Sequence, residues 1–452
     1  MPIPILSSMR KTTANKRNYL VVIIGIFFAL NIPIVNYAQQ DSLSQKHISD
    51  SLKVDSLKKQ NEILLQQQTD IADVYQSIFH PHRQKDSTRK RSPITIIPNI
   101  AANPTIGLQG GIKAVAGKVL GHVPGTYMSV AATSASATTK NILYFYIVHN
   151  IFTPGNKWNL QGSLVASKSV NPDFGMGIGN GSKDNATDEI LTNPSRKPYV
   201  WKSEYYNFRE KVYRKINGNL FLGAGAEFNI RRKMTNPNGV AFDKTPMGIY
   251  STKYGFDSTK YMSNGFLANV EYTTRDNINR PYKGFYLDMG IRLNQTWIGS
   301  DKNALQFTGD VRKYFSLSEK NPETVLALWA WGSSVLTGHL PYLELPGTGR
   351  DPSFRSGRGY VVGYFRGTHF FYSEGEFRFP ITRNKLFSGV TFFSMESAND
   401  MAQIKIFDVW KPAGGFGLRV LFNKATRTNL CLDYAWGSYG QKGFFLGLNE
   451  AF

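Results

Sequence analysis

In the stretch GFYLDMGIRLN, Gly284 to Asn294, apolar and polar side chains alternate without a break. Phe285, Leu287, Met289, Ile291 and Leu293 fall on one face; Tyr286, Asp288, Gly290, Arg292 and Asn294 fall on the other. Successive side chains of an extended chain point to opposite sides, so this period predicts a strand with one greasy and one polar face. FLANVEYT repeats the pattern, setting Phe266, Ala268, Val270 and Tyr272 against Leu267, Asn269, Glu271 and Thr273. So does FTGDVRKYF, where Phe307, Val311 and Phe315 oppose Asp310, Arg312 and Tyr314. Strands of this kind, recurring from Ile94 onward, constrain the chain to an all-β fold with one apolar side to its sheet.

A two-layer soluble sandwich satisfies the same pattern, because each sheet packs one face inward and wets the other. Three features favour a transmembrane antiparallel β-barrel. The segments run to about ten residues, the length a tilted strand needs to cross a bilayer, and their polar faces carry the Glu, Asp and Arg of a wet lumen. Aromatics recur at segment ends, as at Tyr144 to Tyr146, Trp329, Trp331, Tyr434 and Trp436, where girdles are expected. The last segment, GFFLGLNEAF, sets Phe444, Leu446, Leu448 and Phe452 on one face. It is expected to close against the first strand, because an open edge has no place in lipid. The first strand is read as PTIGLQGGIKA, with Gly107, Gly110 and Gly111. At roughly 20 to 25 residues per strand and connection, the chain from Ile94 to Phe452 holds about 14 to 18 strands, with sixteen as the centre.

The segment before the barrel divides in two. Residues 1–38 have the form of a secretory signal peptide: Lys16 and Arg17 precede an apolar core from Leu20 to Leu30, followed by Pro33 and Ala38. That core is short for a membrane span, and an uncleaved anchor is the alternative. Residues 39–93 carry Leu57, Leu64, Ile71 and Ile78 at every seventh position, the spacing of one amphipathic helix. The glutamines at 66 to 68 fit a loosely ordered tail equally well. The barrel then occupies 94–452.

Composition agrees: aromatics make up 13% of the chain and charged residues only 19%, a mixture that suits strands better than helices. The net charge of +21 does not point to nucleic acid, because a secreted chain meets little of it and the basic residues are spread through strand-like segments. One dense cluster, HPHRQKDSTRKR from His80 to Arg91, reads as a solvated linker near phosphate head groups. A single cysteine, Cys431, excludes an internal disulfide framework.

Enzymatic readings find little support. GMGIGNG, Gly175 to Gly181, lacks the spacing and the lysine-serine pair of a phosphate loop. The seven histidines, His47, His80, His82, His122, His149, His339 and His369, form no helical metal-binding pair, and no Gly-x-Ser-x-Gly elbow is present. The expectation is no catalytic residue, no metal and no cofactor.

Several ordered signatures carry a family resemblance. TRDNINRPYKGFYL (Thr274 to Leu287), FGMGIGNGS (Phe174 to Ser182), FRSGRGYVVGYFRGTHFFYSEGEFRFPI (Phe354 to Ile381) and the ending GGFGLRVLFNKATRTNLCLDYAWG followed by GFFLGLNEAF resemble the outer-membrane assembly barrels of the BamA and TamA family. These are also called bacterial surface antigens, and the endings are most similar to Bacteroidetes-type members. The resemblance implies a sixteen-stranded barrel in the outer membrane of a Gram-negative bacterium, with its sixth extracellular loop folded back into the lumen. The Arg-Gly-aromatic tip of that loop maps onto Arg358, Gly359 and Tyr360, with Gly363 and Arg366 further along and Glu376 as the acidic partner on the next strand. Such a latch is chemically sensible, since a guanidinium bonds a carboxylate in a fixed, bidentate way.

Two departures stand out. The family pattern Phe-x-Asp-x-Gly is replaced by Phe392, Ser394 and Glu396, so the second carboxylate is missing unless Glu396 substitutes. Residues 39–91 are also too short for the family's periplasmic POTRA domains, so the expectation is a barrel without them. The implied function is outer-membrane protein assembly, insertion or export. Outer-membrane lipids, assembly or secretion components and client barrel proteins are the implied partners. The alternative is a structural barrel or passive pore that has lost insertase activity. The glycines of the expected first strand either weaken the seam enough for lateral opening or relieve crowding in a curved wall.

Overall fold

The computed structural model describes residues 65–79, 94–99, 101–103, 107–139, 141–179, 197–236, 239–401 and 404–452. The signal-peptide reading, the basic cluster, and Leu57 and Leu64 of the heptad series lie outside these residues. The wall is one antiparallel sheet. Its strands are β1 (Ile94–Pro98), β2 (Ala101–Asn103), β3 (Gly107–Val119), β4 (Met128–Thr138), β5 (Leu143–Phe152), β6 (Trp158–Asp173), β7 (Tyr199–Asn217), β8 (Leu220–Thr235) and β9 (Tyr261–Thr273). They continue as β10 (Gly284–Asn294), β11 (Ala304–Ser316), β12 (Val325–Gly338), β13 (His369–Pro380), β14 (Phe387–Ala398), β15 (Lys411–Asn423), β16 (Thr428–Gly437) and β17 (Lys442–Leu448).

From β3 onward each strand pairs with the next in sequence. β1 and β2 both pair with the same edge of β3, Pro98 opposite Ile112 and Ala101 opposite Gln109, so together they make one interrupted first strand. Among the described residues the wall therefore holds sixteen strand positions. The expected first strand, around Gly107 to Gly111, is instead the second, because a further strand from Ile94 to Asn103 lies outside it.

The alternation reads inside out relative to a soluble domain. On β10, Met289, Ile291 and Leu293 are exposed while Asp288, Arg292 and Asn294 are buried. The same holds on β9, where Phe266 and Val270 are exposed and Glu271 is fully buried, and on β11, where Phe307 and Phe315 point out and Asp310 and Tyr314 point in. Water does not reward such an arrangement, whereas a bilayer outside and a polar lumen inside do. The chain folds as a transmembrane antiparallel β-barrel.

Contacts between strands far apart in order show the sheet curling on itself. Tyr127, in the turn after β3, donates to the Thr273 carbonyl at the end of β9 at 3.0 Å. Arg427, in the turn after β15, reaches Asp276 in the turn after β9 at 2.6 Å. A methyl group at Gly117 on β3 would sit 3.0 Å from Thr426, so the second strand approaches the turn between the fourteenth and fifteenth.

The two ends differ. Short turns join the strands on the side where the chain enters; the longer connections, 174–198, 236–260 and 339–368, lie opposite, as in outer-membrane barrels. Helix α2 (Pro246–Tyr254) sits in one of those loops. Its Met247 and Tyr250 pack with Trp201, Leu340, Tyr342 and Leu343 into a buried apolar cluster at the loop end.

The entry side carries helix α1 (Ile71–Phe79), docked on the barrel. Asp70 and Asp73 cap it reciprocally, each accepting the other's backbone N–H at 3.1 Å. Residues 68–70 are not helical, so the seven-residue series does not run through one continuous helix here; the cap at Asp70 restarts it. The girdle expectation needs correction too. Trp436 is half exposed on the outer face, but Trp329 and Trp331 are each 2% exposed and belong to the lumenal core. Trp329 Nε1 donates to Asp310 at 2.9 Å, a bond that holds its indole inside. Tyr144 and Tyr146 also face the lumen, lining its cavity of about 690 Å³.

Candidate functional site in the barrel lumen

The connection 339–368 between β12 and β13 does not stand away from the barrel; its middle descends into the lumen. Arg358, 5% exposed, carries a charge of that loop to the wall. One terminal nitrogen, Nη1, donates to Asp433 on β16 at 3.0 Å, while Nη2 donates to Glu374 and, at 2.8 Å, to Glu376, both on β13. The guanidinium carbon also lies 3.6 Å from the centre of the Phe392 ring on β14. One planar cation thus ties three strands together, a task for which a point charge on a lysine is poorly shaped.

The alternation of β13 explains why the acids are there. Glu374, Glu376 and Arg378 occupy every second position and all turn inward, leaving Phe377 on the outer face. Arg378 bonds Glu376 at 2.8 Å through Nε and the Phe452 carbonyl at 2.9 Å. Arg419 on β15 bonds Asp433 and, at 2.8 Å, Glu450, which also lies 3.6 Å from Arg280. The assembly sets four arginines, Arg280, Arg358, Arg378 and Arg419, against four carboxylates, Glu374, Glu376, Asp433 and Glu450. Each buried arginine thus faces at least one carboxylate, the pairing a buried ionic cluster requires to offset its desolvation penalty.

Backbone geometry brings the loop this close. Gly359 has φ of +101°, and a Cβ there would lie 3.0 Å from the Trp436 carbonyl and 3.1 Å from Ala413. Only a residue without a side chain fits. Tyr360 then lies along β15 and β16, its hydroxyl donating to the Pro412 carbonyl at 2.6 Å and accepting from the Ser438 N–H at 2.9 Å. Gly363, at φ of +75°, turns the chain so that its N–H meets the Thr348 carbonyl at 2.8 Å. Arg366, 1% exposed, does not join the arginine cluster: it donates to the Tyr342 carbonyl at 2.7 Å and packs over that ring. Its carbonyl accepts from Gly177 at 2.6 Å, so the glycine-rich stretch after β6 pairs with this loop by backbone.

Glu396 on β14 does not touch Arg358. It accepts from the Thr348 hydroxyl at 2.6 Å, giving the same loop a second attachment. The second and third carboxylates around Arg358 are Glu374 and Asp433. Their sequence signal was present: each is a charged residue at an inward position of an alternating strand, as are Arg378 and Arg419.

No family model matches the chain, and no curated protein matches it. Among solved structures, CdiB from Escherichia coli superposes with a TM-score of 0.50 at 9% identity, over 81% of this chain and 65% of that one. This chain resembles the CdiB barrel in fold. BamA from Haemophilus ducreyi lacking POTRA domains 1–3 gives 0.49 at 10% identity over 80% and 71%, and CdiB from Acinetobacter baumannii 0.46 at 12% over 80% and 60%. The chain therefore spans about two thirds of the length of the E. coli protein.

The residues assigned to the seam are distributed differently from the sequence expectation. Gly107, Gly110 and Gly111 lie on β3, one strand in from the seam. A Cβ at Gly111 would collide with the Ala135 carbonyl and Ser136 on β4, whereas Gly110 has open space. Phe444 and Leu446 are strongly exposed on the outer face, but Leu448 and Phe452 are buried. The strand ends at Leu448; Asn449 takes a left-handed φ of +67° and turns the following residues inward. Phe452 packs on Trp329 with ring centres 5.1 Å apart, so it does not share the lipid face of Phe444.

Proposed function

We propose that the chain is an outer-membrane barrel that takes part, without enzymatic chemistry, in assembling or exporting proteins at that membrane. The observation that carries this reading is the loop 339–368, bonded inside the lumen by Arg358 to Glu374, Glu376 and Asp433. A loop so held, its first residues joining the apolar cluster at the loop end, counts against a free diffusion path and in favour of a wall used as a scaffold. The seam supports the same reading. Its strands are the shortest in the wall, seven residues in β17 against an interrupted first strand of five and three, so the least pairing length stands against edge addition of a client strand there. Outer-membrane lipids, other assembly or secretion components and client barrels are the partners this role needs.

Depletion of the protein followed by quantitative outer-membrane proteomics tests it. Selective loss of other barrel proteins is the expected outcome. Unchanged levels, together with ion conductance of the purified barrel in planar bilayers, would replace this reading with that of a passive pore.

A further inference from the structure

Helix α1 carries an apolar stripe that the barrel covers only in part. Ile71, Val74, Tyr75, Ile78 and Phe79 recur with helical spacing on one side, opposite Ala72, Asp73, Gln76 and Ser77. Ile71 and Val74 are half-buried, whereas Tyr75, Ile78 and Phe79 are 56%, 63% and 62% exposed. Leaving three large apolar side chains in water on a short helix has no return in stability, so something other than water is expected against them.

The helix is pinned where the wall ends. Thr69 donates its N–H to the Asn384 carbonyl at 2.9 Å, in the turn after β13. Lys424, in the turn after β15, bonds Asp73 at 2.8 Å and the Gln68 carbonyl at 3.1 Å, and its own N–H meets Asp70 at 3.1 Å. Along these strands the lipid-facing band runs down to the same rim, through Phe377 and Leu418, each 40% exposed, to Ile381 at 56%. The amino-terminal end of the helix is thus held at the same rim to which the lipid-facing band descends.

We propose that α1 is a membrane-docking surface whose occupant is the anionic phospholipid interface on the turn side of the barrel. Tyr75 is a residue type that settles at the head-group level, and Phe79, its ring centre 4.7 Å away, is one that an interfacial helix buries just beneath it. The sequence directly after the helix adds Arg83, Lys85, Arg89, Lys90 and Arg91 against Asp86, which favours anionic head groups. A protein partner is the poorer fit, because three side chains cover a small part of the roughly 800 Å² per partner that a stable interface buries. The inference rests on the transmembrane reading of the wall.

The test uses the full-length protein reconstituted in phosphatidylcholine vesicles, with and without phosphatidylglycerol. The native Cys431 is buried, so Ile78→Cys, Gln76→Cys and Met289→Cys can each be labelled with an environment-sensitive fluorophore. With phosphatidylglycerol present, the label at 78 is expected to be protected from aqueous iodide by about threefold relative to that at 76, and quenched by spin-labelled lipid at shallow depth. Equal iodide access at 78 and 76 in both lipid mixtures overturns the proposal. So does protection at 78 that appears only on adding envelope proteins. The label at 289 separates the two failures: lipid quenching there without any at 78 sinks the docking surface alone, and its absence sinks the transmembrane reading beneath it.

Discussion

Replacing Arg358 with leucine should weaken the barrel far more than the loss of one loop contact, and the structure says where the damage falls. Without the guanidinium, Glu376 keeps Arg378 at 2.5 Å and Asp433 keeps Arg419. Glu374 keeps only the Tyr372 hydroxyl and no cation, while being 3% exposed. An uncompensated buried carboxylate of this kind costs about 3–5 kcal/mol, a rise of roughly 150- to 5,000-fold in the unfolding constant. Urea unfolding in lipid vesicles, followed by the shift in gel mobility between folded and unfolded barrel, measures it. The companion variant Arg358→Leu/Glu374→Gln removes the orphaned charge and should recover on the order of 1–3 kcal/mol, the size of a direct coupling. If single and double variants unfold together, or the single change costs less than ~1 kcal/mol as a surface pair would, the loop is not anchored by these charges.

Four further outcomes follow from the same geometry. Arg358→Lys should fall between wild type and leucine, losing about 2 kcal/mol, because one ammonium does not span Asp433 and both glutamates; the same urea titration reads it. Gly359→Ala should cost about 1–3 kcal/mol, and limited proteolysis should then cut within 339–368 where it does not in the parent. Phe452→Ala, which removes a buried ring from Trp329 and Tyr314, should cost about 3–5 kcal/mol in the unfolding assay. Met289→Arg, on the outer face of β10, should cost about 2–4 kcal/mol in vesicles; a negligible effect would mean that face does not meet hydrocarbon.

The wall was legible because lipid and lumen impose opposite demands on neighbouring residues, and Phe285 to Asn294 records both. Glu376 and Arg358 were legible as partners only through resemblance. Asp433 escaped because it reaches Arg358 from β16, 75 positions away in the chain, and alternation fixes which way a side chain points without naming what it meets. The tryptophans misled for a related reason: Trp329 and Trp331 have the chemistry of a girdle, yet their register on β12 turns them toward Tyr372 and Phe370. The tail misled because a single left-handed residue, Asn449, breaks the period that had linked Phe452 to Phe444. Backbone reversals of that kind leave little trace when the residue is not glycine.

The strands are not equally tall. β6 to β8 run to 16, 19 and 16 residues, whereas β17 has seven. At about 3.3 Å per residue and a tilt near 40°, β7 rises on the order of 45 Å, well beyond the roughly 25 Å apolar band. The surplus lies toward the loop end and is charged, with Glu204 held between Arg232 and Lys233 at 2.9 and 2.8 Å. Above the apolar band water meets both faces of these strands, so a charge placed there escapes the penalty that the same charge carries at mid-wall.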